Sequence, residues 1–247
     1  MAAFVVFLVH ADYDRFTGRL PFIWALPNLG TDAVIVFFVL SGFVIAFVAN
    51  GKEKSIDIFF INRFARLYSV VFPALILTMV FDFAGTGIAY ELYDGRWFEA
   101  GVPIWRFFSN LFFINQLWTL YITPFSNGPF WSIGYEFWYY VLFALAFYLQ
   151  KPSKYLLILM VLLLVGPKIL LLFPVWLMGV WVYKITVSNC ISEDLGWMIL
   201  ISSIIAYLAF RFGGGHAYFA EFTRSYIMIC TVQSLSLAVT LLAYLYH

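Results

Sequence analysis

The stretch Val34-Ile-Val-Phe-Phe-Val-Leu-Ser-Gly-Phe-Val-Ile-Ala-Phe-Val48 decides the fold. It carries no charged residue, and its apolar side chains leave no polar face in either a helical or a strand register. Residues 155–166 read the same way. A soluble helix would show a polar stripe, and a barrel strand would alternate apolar and polar residues at every second position. With no water in a bilayer core, only helices and closed barrels satisfy the backbone. These runs are therefore membrane helices. The whole chain agrees: of its 247 residues, 64% are hydrophobic, 22% aromatic and only 11% charged. A soluble domain carries about 25% charged residues. Soluble enzymes, disordered chains, coiled coils and disulfide-rich secreted modules are excluded. A net charge of +1 gives no field for nucleic acid, so no nucleic-acid partner is expected. Cys190 and Cys230 have neither metal-like nor redox-like spacing and read as inert thiols; no metal is expected.

Spans need about 20 mostly apolar residues. The pattern predicts helices over 33–50, 67–84 (with Pro73 able to kink it), 107–121, 131–150, 155–173, 174–187, 195–211 and 225–246, after a short apolar run over 2–9. The expected fold is all-α, one polytopic transmembrane bundle of about nine helices over 1–247, its first helix cut short. The loop 51–66, with Lys52, Lys54, Arg63 and Arg66, is the most basic and is expected in the cytoplasm. The acidic loop 85–105, with Glu91, Asp94 and Glu99, then lies outside, as does 11–29. Beyond residue 121 two readings stay open. Full spans throughout put Lys151 and Lys154 outside, whereas a re-entrant 107–121 returns them inside.

Ionisable groups at bilayer depth need a partner or a task. His10 ends the first apolar run, either as an interfacial cap or as a general base. Asp32 precedes the second run and is able to N-cap it. Arg63 and Arg66, three apart, share a helix face, as topology anchors or as a phosphate clamp. Glu136, four residues after Ser132, heads an aromatic helix, where an arginine partner would be a sufficient structural account. His216 reads as a loop residue and His247 is given no role. A transporter, a channel or an intramembrane enzyme all fit this pattern.

Five blocks in order carry a resemblance. They are Phe7-Leu-Val-His10; Gly30-Thr-Asp-Ala-Val-Ile-Val-Phe-Phe-Val-Leu-Ser-Gly-Phe43; Phe59-Phe-Ile-Asn-Arg63-Phe-Ala-Arg66-Leu-Tyr68; Pro129-Phe-Trp-Ser-Ile-Gly-Tyr-Glu136-Phe-Trp-Tyr139; and Val175-Trp-Leu-Met-Gly179. Together they resemble the membrane acyltransferase 3 family, which O-acylates sugars and related acceptors. The family pairs its first-helix histidine with an arginine eleven positions earlier, which from His10 falls two positions before Met1. The resemblance thus implies that Met1 is an internal methionine. The short first run agrees, because nine residues of helix cover only about 14 Å of a roughly 30 Å core.

The resemblance implies acyl-CoA, usually acetyl-CoA, as co-substrate with no bound cofactor, a saccharide or related hydroxyl acceptor, and the bacterial inner membrane. In those terms His10 is the candidate base, Asp32 its orienting partner and Glu136 an acceptor-positioning group. Arg63 and Arg66 are the candidate donor-binding residues, and Trp131 and Ser132 the candidate acceptor-binding ones. Two alternatives stay beside this reading. One is a transporter or flippase, which predicts repeated halves that are not visible here. The other is an inactive truncated relative.

Overall fold

The computed structural model describes residues 2–11, 29–93, 98, 101–150 and 152–188, with 197–198, 201–202 and 205. Among these the regular structure is helical, with no strand. In chain order the helices are α1 (Ala2–Ala11), α2 (Leu29–Gly51), α3 (Ile56–Ile88), α4 (Pro103–Leu111), α5 (Trp131–Tyr148), α6 (Ser153–Val165), α7 (Pro167–Leu170) and α8 (Phe173–Val187). Among the described residues three stretches are long and apolar enough to cross a membrane: Ala33–Gly51, Ile56–Ile88 and Pro167–Val187. Apart from five helical residues of 195–211, the helices expected at 195–211 and 225–246 lie outside the described residues, as do Cys190, Cys230, His216, His247 and most of 11–29. The chain divides into two compact units, Met1–Gly51 with Leu171–His247, and Lys52–Leu170.

In the first unit α2 packs along α8, and α1 packs against α2. The α2–α8 seam is built on two glycines. A Cβ at Gly42 would overlap the Trp176 carbonyl oxygen, and one at Gly179 would overlap the Val39 carbonyl oxygen and lie 2.7 Å from the Phe43 nitrogen. Only glycine lets two backbones approach this closely, which in lipid is the main route to helix association. Trp176 Nε1 donates to Ser41 Oγ across the seam at 3.3 Å, and Phe43 meets Tyr183 edge-on at 5.6 Å. The Ser41-Gly42-Phe43 and Trp176–Gly179 blocks thus face one another as packing partners. Gly179→Val is expected to lower the stability of the detergent-solubilised protein by about 1–3 kcal/mol, read as a fall in melting temperature. An unchanged melting temperature would show that the seam is loose.

In the second unit the expected loop 51–66 is half helix, because Ser55 caps it. Its extended backbone lets Oγ accept the Ile58 N–H at 3.3 Å, and Asp57 in the first turn suits the positive helix end. Helix α3 therefore starts eleven residues before the expected 67 and runs to Ile88 with Pro73 inside it. Its 33 residues rise about 50 Å, well over a roughly 30 Å core. Val70, Leu77, Val80 and Phe81 are exposed, as lipid-facing side chains should be.

The expected helix 107–121 is not a span, and this is the largest correction. Helix α4 ends at Leu111, and 112–127 is non-helical, with Phe113, Trp118 and Phe125 at φ of 57°, 52° and 55°. Left-handed backbone at bulky residues ends any helix. Tyr68 on α3 donates to the Leu111 carbonyl at 3.1 Å, yet Ser126 returns to Asp82 on the same helix, with N–H and Oγ both 2.9 Å from its carboxylate. Fourteen residues of α3 separate those contacts, about 20 Å. Segment 103–127 thus dips and comes back. Helix α5 then runs the other way, so that Tyr148 OH donates to the Glu53 carbonyl at 2.5 Å. Tyr148 therefore lies at the Glu53 end of α3, and Lys154 follows six residues later. The expected helix 155–173 is likewise broken, at Gly166 (φ 76°) and Pro167, where Trp118 donates its N–H to the Val165 carbonyl at 3.0 Å.

Candidate functional site

Helix α3 buries one stripe: Phe59, Arg63, Leu67, Val71, Leu75 and Asp82. The fourfold spacing of its first five members is one helix face. Arg63 lies in that stripe and Arg66, three residues on, is exposed beyond its rim. The two arginines share a side of the helix by spacing, but their environments separate them. Arg63 Nη2 donates to Glu53 Oε1 at 2.7 Å, with both residues buried, and its guanidinium lies 5.6 Å from the Phe59 ring centroid. Asn62 Nδ2 also donates to Glu53 Oε1, at 2.8 Å. The carboxylate partner of Arg63 is thus Glu53, ten residues back across the helix start. The sequence carried no sign of this pairing, because it depends on the Ser55 cap turning the chain.

Trp131, Ser132 and Glu136 all lie on α5, as the i, i+4 spacing predicts. Trp131 meets Tyr135 edge-on at 5.1 Å, and Ser132 Oγ donates back to the Pro129 carbonyl at 3.3 Å. Glu136 is buried, and Tyr140 OH, one turn on, donates to its Oε1. A buried carboxylate held this way is a fixed acceptor of hydrogen bonds rather than a mobile surface charge.

His10 and Asp32 belong to the first unit. His10 sits in the last turn of α1, half-buried, with Nδ1 2.7 Å from the Val6 carbonyl oxygen. A carbonyl only accepts, so in the neutral ring Nδ1 carries the proton and Nε2 holds the basic lone pair. Helix α2 begins at Leu29, so Asp32 lies in its first turn rather than at its cap; its side chain is outside the described residues. The last turn of α1 meets the first turn of α2, where a Cβ at Gly30 would lie 3.1 Å from Val9 Cγ1. That packing brings the His10 and Asp32 backbones to neighbouring helix ends.

Sequence reasoning missed a polar cluster in the re-entrant segment. Ser109, Asn110, Asn115 and Gln116 are buried, in a stretch whose composition reads as a span. Lys168 Nζ donates to Gln116 Oε1 and to the Leu120 carbonyl, each at 2.6 Å. The one available signal was two adjacent carboxamides inside an aromatic run. Trp138 Nε1 donates to the Phe113 carbonyl at 2.9 Å and Tyr139 OH to the Ile169 carbonyl at 2.9 Å, so α5 holds both this segment and α7, which carries Lys168.

Comparison with known proteins places these residues in context. The chain is 33% identical to the acyltransferase MdmB of Streptomyces mycarofaciens over 155 residues, covering 61% of this chain and 38% of that relative. It therefore spans well under half of the relative's length. No solved structure matches the chain. A family model described as an acyltransferase domain matches residues 1–246. With that match running across both units and through all five quoted blocks, the chain belongs to the acyltransferase 3 family.

Proposed function

We propose that the chain is a multi-pass membrane O-acyltransferase of the bacterial inner membrane. It moves an acyl group, acetyl in the simplest case, from acyl-CoA to a hydroxyl of a saccharide-type acceptor, with residues 1–247 serving as one membrane domain. The observation that carries the reading is His10 in the last turn of α1, half-buried, its ring oriented by the 2.7 Å contact of Nδ1 with the Val6 carbonyl. Family membership supplies the reaction class. In the step proposed, Nε2 takes the proton from the acceptor O–H as that oxygen attacks the thioester carbonyl carbon. The C–O bond forms, the C–S bond breaks, and the imidazolium returns the proton to the leaving thiolate. The products are an ester and free CoA. Asp32, in the neighbouring helix end, orients or tunes the histidine, and Glu136, Ser132 and Trp131 position the acceptor.

On the donor side the arginines divide the work. Arg66, exposed, meets the phosphates of acyl-CoA, while Arg63, held by Glu53, fixes the helix end that presents it. Lysine lacks the planar fork that matches phosphate oxygens. Arg66→Lys is therefore expected to raise the KM for acyl-CoA about tenfold, the worth of one charge-assisted hydrogen bond. A lysine variant with unchanged KM would leave Arg66 as a topology anchor alone. The direct test of the function is incubation of the purified full chain with labelled acetyl-CoA and a panel of methyl glycosides. Acceptor-dependent release of free CoA with ester formation is expected, and its absence with every acceptor would refute the assignment.

A further inference from the structure

Three side-chain atoms of two neighbouring carboxamides are buried without a hydrogen-bond partner: Asn115 Nδ2 and Oδ1, and Gln116 Nε2. The residues themselves are 0% and 1% exposed. Buried polar atoms in folded proteins are almost always paired, and each exception needs a reason. Six such atoms occur among the described residues, two in the Glu53–Arg63 pair, one on Asn110, and three on the adjacent Asn115 and Gln116. Gln116 Oε1 is held by Lys168, whose ammonium also bonds the Leu120 carbonyl and lies 5.1 Å from the Tyr121 ring centroid, leaving a third N–H to donate. On the other side the cluster abuts α5 at Gly134. A Cβ there would fall 2.9 Å from Asn115 Oδ1, so glycine is what lets the carboxamide reach the Trp131–Glu136 turn.

The backbone that covers the cluster is unusual in the same way. Segment 112–127 is non-helical beside the stretch of α3 between Tyr68 and Asp82, about 20 Å long, and irregular backbone within a membrane is tolerated where it is buried in protein or lines a polar cavity. Its Phe113, Trp118 and Phe125 occupy the left-handed region, a strained conformation for bulky residues of the kind that gathers at functional sites. The unpaired set is neutral in aggregate, combining amide donors with a carbonyl acceptor. Asn115 Oδ1 only accepts and so finds no partner in a phosphate oxygen, whereas hydroxyls, which both donate and accept, satisfy every atom of the set and the third Lys168 N–H as well.

Resting on the acyl-transfer reading, we propose that Asn115, Gln116 and Lys168, beside Gly134, bind the hydroxyls of a polyhydroxylated, saccharide-type acceptor. The test uses the full chain in detergent, methyl α-D-glucopyranoside as probe, and the variants Asn115→Leu and Gln116→Met. Each variant is expected to raise the KM for the glucoside about tenfold, the cost of one or two lost hydrogen bonds, while leaving the KM for acetyl-CoA unchanged. Without ligand, Asn115→Leu should melt at or above the wild-type temperature, because it removes two unpaired buried atoms, whereas Gln116→Met also takes away an acceptor of the Lys168 ammonium and should melt lower. The glucoside should raise the melting temperature of the wild type saturably and of neither variant. Lower melting of unliganded Asn115→Leu would overturn the proposal in favour of a structural, water-filled cluster. A fall in kcat with unchanged glucoside KM would overturn it in favour of a carboxamide acting on the thioester oxygen. Ester formation with equal glucoside KM in all three proteins would sink this site and keep the acyl-transfer reading. Saturable stabilisation of the wild type alone, with no ester formed, would do the reverse.

Discussion

His10→Ala is expected to reduce acyl transfer from acyl-CoA to a hydroxyl acceptor by about 10²–10⁴, the usual contribution of a positioned general base. Expression and membrane insertion should be unchanged, since the ring is only half-buried and its Nδ1 bond to Val6 lies within one helix turn. The donor KM should not move, because the imidazole acts on the acceptor proton and not on the phosphates. The assay is single-turnover ester formation from labelled acetyl-CoA, with the protein quantified in membranes. Wild-type rates in the alanine variant would end the general-base assignment.

Glu53→Ala should have the largest effect on stability. It strands the buried Arg63 guanidinium, which would then keep only its contact with the Phe59 ring, and it removes the acceptor of Asn62 Nδ2. Breaking one side of a buried ion pair costs about 3–5 kcal/mol, whereas replacing both members with well-packed apolar groups is often neutral. The expected order in detergent melting is therefore wild type, close to Glu53→Met with Arg63→Met, and both well above Glu53→Ala. A single variant that melts with the wild type would show that water reaches the guanidinium. The comparison also separates structure from binding: the paired replacement should melt normally while acyl-CoA affinity still reports what Arg66 alone provides.

The sequence by itself determined the solvent of this protein and hence its class. Apolar character summed over some twenty residues decides between lipid and water, and no tertiary contact alters that sum. The helices over 33–50 and 131–150 lie within a few residues of α2 and α5 for this reason. The i, i+4 relation of Ser132 to Glu136 was legible too, because helical spacing is local. Sums and spacings cannot report which distant groups meet. The run 107–121 is apolar enough for a span, but Tyr68, Trp138 and Val165 hold its backbone in a re-entrant path, and these partners lie tens of residues away. That path is what returns the chain to the Glu53 end of α3. Arg63 and Arg66 look equivalent by spacing, yet the helix face buried against the rest of the unit takes one and leaves the other exposed. The Ser41–Phe43 and Trp176–Gly179 blocks look like separate motifs until their glycines are seen to let two backbones touch. Each of these was settled by packing between elements far apart in the chain, since a residue's partner depends on which helix face the rest of the fold covers.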